Sequence, residues 1–189
     1  MSKVNQDVKG NPDLFKELLS DKKYVLTNTI QLHHKINNAV WLIGKSKVQH
    51  KNIGDEISLI IEQSKRESKY GIKLRCTSFT QEPFFRFDSD GPAHRNSFPD
   101  IPLEKQSVST PHFNTFNDKG MPFAYKNETL KKEEEAKEIV EDINFGVSLF
   151  CMETNTSLSD GNFPNIVEKV PEIKFEDTKL INFDQINFE

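Results

Sequence analysis

A chain of 189 residues, 35% hydrophobic and 29% charged, is long enough for one domain with its own core, and the low apolar content leaves part of it outside that core. No run approaches the ~18 apolar residues of a membrane span, and the opening "MSKVNQD" has no signal-peptide core, so a cytoplasmic protein is expected. The net charge of −4 is unevenly spread: residues 1–126 hold 19 Lys and Arg against 14 Asp and Glu, residues 127–189 hold 6 against 15. Such a split fits a basic surface for an anionic partner with an acidic segment competing for it, or simply solvated helix surfaces.

The first element in chain order is "NPDLFKELLSD". Asn11 suits an N-cap, Pro12 the first helical position and Asp13 the positive end of the dipole. Leu14, Phe15, Leu18 and Leu19 make one apolar stripe, which predicts a short helix over residues 12–20.

After it the period changes to two. "AVWLIGKSKVQHKNI" turns from apolar to alternating and basic, and "EISLIIEQSKR" sets Ile57, Leu59 and Ile61 on one face. "YGIKLRCTSF" sets Tyr70, Ile72, Leu74 and Cys76 against Lys73, Arg75 and Thr77, and "PFFRFD" sets Phe85 and Phe87 against Arg86 and Asp88. Short links between such runs predict an antiparallel meander with one apolar face and one polar, mostly basic face. The polar face is either a solvated sheet surface or a binding surface. Cys76 and Cys151 lie far apart without metal spacing and read as buried, reduced thiols.

Five prolines punctuate residues 91–125 around one more short strand, "PHFNTFN". Next, "NETLKKEEEAKEIVEDINFGVSLFCME" carries Ala136, Val140, Ile143, Val147 and Phe150 at 4-3-4-3 spacing behind a cap at Asn127. This predicts one long helix lying across the sheet, with Glu133, Glu134 and Glu135 on its solvent side. Residues 154–189 read as an acidic extended tail with one edge strand or a short partner-binding motif. The expected fold is therefore a single α+β domain over residues 1–153. It would have a meander sheet of about five or six strands, a short N-terminal helix and a long C-terminal helix packed on one face.

The stretch "FFRFDSDGPAHRN" raises the functional question. A strand ends in a Ser-Asp-Gly-Pro turn, and His94, Arg95 and Asn96 follow at once. If "PHFNTF" pairs beside this strand, Arg75, Arg86, Asp88, His112 and Asn114 share one polar surface, with His94 and Arg95 at its edge. Two histidines, arginines and a carboxylate can serve phosphodiester cleavage without a metal. One imidazole takes the ribose 2′-hydroxyl proton and the other protonates the leaving oxygen. Arginine neutralises the phosphoryl charge, and Asp88 orients a ring. Asp88, His94 and His112 have no HxH or HExxH spacing, so no metal is assigned, and no cofactor is implied. His33 and His34 are adjacent and receive no role. The absence of a glycine-rich phosphate loop and of a G-x-S-x-G elbow argues against nucleotide hydrolases and serine esterases.

"FRFDSDGPAHRN" followed by "TPHFNTFNDKGMPFAY" resembles a bacterial and phage-associated family of unknown function, with an Arg-x-Asp segment, Gly-x-x-His-x-Asn and Pro-His-x-His. More distantly it resembles the TumE family of toxin–antitoxin proteins. The likeness covers about residues 57–125. Arg86 and Asp88 match the first segment; Gly91, His94 and Asn96 match the turn; His112 matches the first His of the second cluster. Asn114 stands where the family has the second His, and Phe123 where it has Trp.

The resemblance implies a mobile element or phage and an RNA-directed, toxin-like, ribonuclease-like role. His94, His112 and Asp88 would be catalytic; Lys73, Arg75, Arg86, Arg95, Asn96 and Asn114 would bind RNA. The alternative is a non-catalytic module, such as a phage inhibitor of a host system, that binds a cognate antitoxin or host protein through its acidic C-terminal part. Neither reading involves a membrane, and oligomeric state is left open.

Overall fold

Alternation builds the centre of the sheet. In the computed structural model, which describes residues 4–168, β3 (Asn38–His50), β4 (Gly54–Ser64), β5 (Tyr70–Cys76) and β6 (Phe85–Asp88) are consecutive antiparallel neighbours. β9 (His112–Phe116) then pairs with β6, and β10 (Pro122–Tyr125) forms the edge beyond it. Ile57, Leu59, Ile61, Ile72, Leu74, Phe87 and Phe113 are fully buried on the inner face, as period-two strands with one solvated face require.

At its other edge the sheet forks. The long β3 pairs near its start with β2 (Thr29–Lys35) and near its end with β1 (Lys23–Val25). Two later segments extend these branches in parallel: β11 (Thr156–Ser157) beside β1, and β12 (Asn165–Glu168) beside β2. The result is a ten-stranded sheet curled into a half-barrel, not the five or six strands expected from alternation. Of the additional strands β2 does alternate, with Ile30 and Leu32 buried between exposed neighbours, but over a short stretch, and the others give weaker signals. β1 turns Lys23 and Val25 inward with Tyr24 outward, against the usual placement of a charge, and β11 has only two residues. Of the stretch read as an extended tail, residues 156–157 and 165–168 pair in this sheet, while residues 169–189 lie outside the described residues.

The expected long helix is three helices: α3 (Glu128–Lys131), α4 (Glu133–Glu141) and α5 (Ile143–Glu153). The backbone is extended at Lys132 and again at Asp142. Asp142 accepts a hydrogen bond from the Asn144 N–H at 2.7 Å, and this local competition with the helix ladder starts a new helix. An unbroken helix over residues 128–153 would run straight for about 39 Å and could not follow a curled sheet. The break also changes the buried stripe, so that Ile139 is buried and Val140 only partly. At the N-terminus two helices stand where one was expected: α1 (Gln6–Gly10), capped by Asn5, and α2 (Pro12–Ser20). Pro12 opens α2 as read, but the Asn11 side chain makes no capping bond.

Lys23 is fully buried and donates to the Asp21 carbonyl at 2.6 Å and the Leu19 carbonyl at 3.3 Å, at the C-terminal end of α2. Burial lowers its pKa from 10.5 to about 8, against the pull of Asp21. Between those values the unfolded chain holds a proton that the folded chain has released, so this residue makes the fold more stable as pH rises through the window. Burial raises the Cys151 thiol to about 12, and Tyr70 and Tyr125 are raised as well, which acts in the opposite sense at alkaline pH. The effect is therefore read as a difference. Denaturant unfolding of wild type and Lys23→Met should show the wild type gaining about 3 kcal/mol relative to the variant between pH 7.5 and 10.5.

Candidate functional site

The pairing of β6 with β9 assembles the polar row. Arg86 stands opposite Asn114 and Asp88 opposite His112, while β5 sets Lys73 beside Arg86. Residues directly opposite one another share a face, so these side chains project together from the outer surface of the half-barrel.

Asp88 organises the row. Its Oδ2 accepts from Asn114 Nδ2 at 2.8 Å, lies 2.9 Å from Arg86 Nε in an ion pair off the N–H axis, and is 3.7 Å from His112 Nε2. Burial opposes the carboxylate charge, but the facing His112 ring and the charges of Arg86 and Lys73 outweigh it and hold Asp88 below the usual carboxylate range. His112 is only 2% exposed, and its Nδ1, turned from Asp88, is buried with no hydrogen-bond partner. Asn114 Oδ1 and His94 Nε2 are buried and unpartnered too.

His94 comes from a different element. β7 (His94–Arg95) and β8 (Ser107–Val108) form a two-stranded arm beside the main sheet. Asn96 fastens this arm to the sheet edge: its Nδ2 donates to the Ala124 carbonyl at 2.9 Å, and its Oδ1 accepts from the Ala124 N–H at 2.7 Å. The His94 ring thereby stands edge-to-face with His112, centroids 6.4 Å apart. Both rings line a cleft of about 290 Å³ with Lys69, Arg86, Asp88 and Asp90. Burial, then the neighbouring His112 and Arg86, lowers the His94 pKa and keeps the ring neutral at pH 7.

The structure brings together Arg86, Asp88, His94, His112 and Asn114. Other expected site residues have different surroundings. Lys73 is engaged by Glu62, which also pairs with Lys35 at 2.8 Å. Arg75 lies further along β5 opposite Ser58, and Arg95 is exposed on the arm opposite Ser107. The buried amide of Asn96 is occupied by the Ala124 backbone, so removing it acts through the arm. Asn96→Ala should cost about 1–3 kcal/mol in thermal or denaturant unfolding, because it leaves both Ala124 backbone groups unpaired. Sequence reasoning passed over Lys69, which sits in the β4–β5 link and pairs with Asp90 at 3.9 Å; only its proximity to the start of a basic strand could have marked it.

Among the described residues no group of three or more His, Cys, Asp or Glu is arranged to hold a metal ion. Both cysteines are free and buried. No helix among the described residues is long and apolar enough to cross a membrane. Comparison with family models, curated proteins and solved structures finds no match. The resemblance drawn above stands on its quoted residues alone.

Proposed function

We propose that the cleft binds single-stranded RNA and cleaves it by transferring a phosphoryl group to the neighbouring ribose 2′-hydroxyl. The reading is carried by one observation: two imidazoles from separate elements meet over an Asp–Arg pair in a single cleft. His94, neutral at pH 7, accepts the 2′-hydroxyl proton as the 2′-oxygen attacks phosphorus. The 5′-oxygen leaves and takes a proton from His112 Nδ1, the nitrogen left free because Nε2 faces Asp88. Arg86 offsets the charge on the non-bridging oxygens, and a 2′,3′-cyclic phosphate remains. Together with the family resemblance, this supports the reading of a toxin-like protein of a mobile element or phage, acting on RNA.

The test is incubation with a single-stranded RNA and its 2′-deoxy counterpart, with and without EDTA. Cleavage of the RNA alone, in both conditions, with cyclic phosphate ends, supports the reading. Intact RNA, or loss of activity in EDTA, contradicts it.

A second reading rests on the opposite surface. Phe145 and Met152 are 54% and 60% exposed on α5, where Leu149 and Ile139 floor a groove that Glu135 and Glu138 line. An apolar patch of this kind on an acidic layer suits a protein partner of basic, amphipathic character. Under that reading Phe145→Ser/Met152→Ser abolishes the protein's biological effect while His94→Ala leaves it intact; the RNA reading predicts the reverse.

A further inference from the structure

On the other side of Arg86 from the histidines lies a second cleft, of about 320 Å³, lined by Glu82, Pro83, Asn114, Phe116 and Pro122 with Arg86 itself. Arg86 is shared by both clefts. The Arg86–Asn114 row and the Asp88–His112 row are two residues apart along the same strands, about 7 Å, the scale of one nucleotide step. A phosphate held by Arg86 beside the histidines therefore puts the attached nucleoside within reach of the second cleft.

The polar groups of this second cleft are mostly acceptors. Asn114 donates through Nδ2 to Asp88, which fixes the amide and leaves Oδ1 buried and unpartnered. Glu82 is exposed and makes no ion pair among those found in the described residues. Thr115 has its hydroxyl committed to the Phe84 carbonyl at 3.0 Å. Pro83, Pro122 and Phe116 supply apolar walls for a flat ring.

We infer that this cleft is a base-binding subsite selecting a nucleobase rich in donors, guanine before the others and uracil last. Guanine presents its N1–H and N2 amino group side by side, matching a carboxylate and an amide oxygen. Uracil offers one N–H flanked by two carbonyl oxygens that would face Glu82 and Asn114 unfavourably. The inference rests on the RNA reading for the occupant of the first cleft and adds to it a sequence preference.

The experiment is calorimetric titration of the full chain with guanosine 3′-monophosphate, uridine 3′-monophosphate and inorganic phosphate. Guanosine 3′-monophosphate should bind roughly tenfold tighter than the uridine nucleotide. Glu82→Ala should shrink that ratio while phosphate binding persists, and Asn114→Leu should shrink it as well. Glu82 is exposed, so its variant reports even if Asn114→Leu fails to fold. Equal affinity for the two nucleotides, or a preference that survives both substitutions, overturns the subsite and leaves the RNA reading standing. Binding of neither nucleotides nor phosphate overturns both. A guanine preference without any RNA cleavage supports the subsite and removes the catalytic reading.

Discussion

Under the proposed RNA chemistry, His94→Ala is expected to lower the cleavage rate by about 10²–10⁴-fold, the usual worth of a general base. The residue is only partly buried and sits in a two-residue strand, so the fold should survive the change with unfolding close to wild type. Loss of rate without loss of stability separates a chemical role from a structural one. The pH profile gives a second readout. Because burial and its neighbours lower the His94 pKa, its deprotonated form is present above a pKa lying below the ordinary 6.5. The rate should therefore rise as pH increases through that lowered value, and this limb should be missing from the residual activity of His94→Ala. Asp88→Asn should also reduce the rate while keeping a side chain able to bond Asn114, because it removes the charge opposite His112.

The second large effect concerns the attachment of the helices. A Cβ at Gly146 of α5 would stand 2.0 Å from the Tyr70 hydroxyl and 2.6 Å from the ring carbon bearing it. Tyr70 is buried, packs against Phe87 with ring centroids 5.8 Å apart, and donates its hydroxyl to the Ile139 carbonyl of α4. Nothing larger than hydrogen fits there unless α5 lifts from the sheet. Gly146→Ala should accordingly cost about 2–3 kcal/mol in denaturant unfolding, although alanine is the better helix former. In a Tyr70→Phe background the penalty should be smaller, since the nearest atom is gone, yet not zero, since the ring carbons remain. A neutral or stabilising Gly146→Ala would show that α5 does not dock through this contact.

What could be read from the sequence follows from which forces are local. Ile57, Leu59, Ile61, Tyr70, Ile72 and Leu74 announce their strands because alternation and burial are written in the same few residues. The row of Arg86, Asp88, His112 and Asn114 follows from two adjacent alternating strands, and needed only their pairing. The forked edge was hidden because β1 buries a lysine and because β11 and β12 reach their parallel partners from more than 130 residues away. The helix stripe misled because its spacing continues across Asp142, whose side chain forms a cap that periodicity does not register. Asn96 read as a binding residue since its backbone partner, Ala124, belongs to a strand 28 residues on. The meeting of His94 with His112 depends on that same anchor.

The measurement that bears most directly on the cleft uses the five histidines of the chain as its own controls. Imidazole nitrogen and carbon resonances would be followed as a 2′-deoxy single strand, which lacks the nucleophile, is titrated in. The RNA reading predicts saturable shifts at His94 and His112, weakened by salt, with His33, His34 and His50 unmoved. Shifts confined to His33 and His34, or none at any histidine while the strand binds, would contradict it and move the nucleic-acid surface elsewhere.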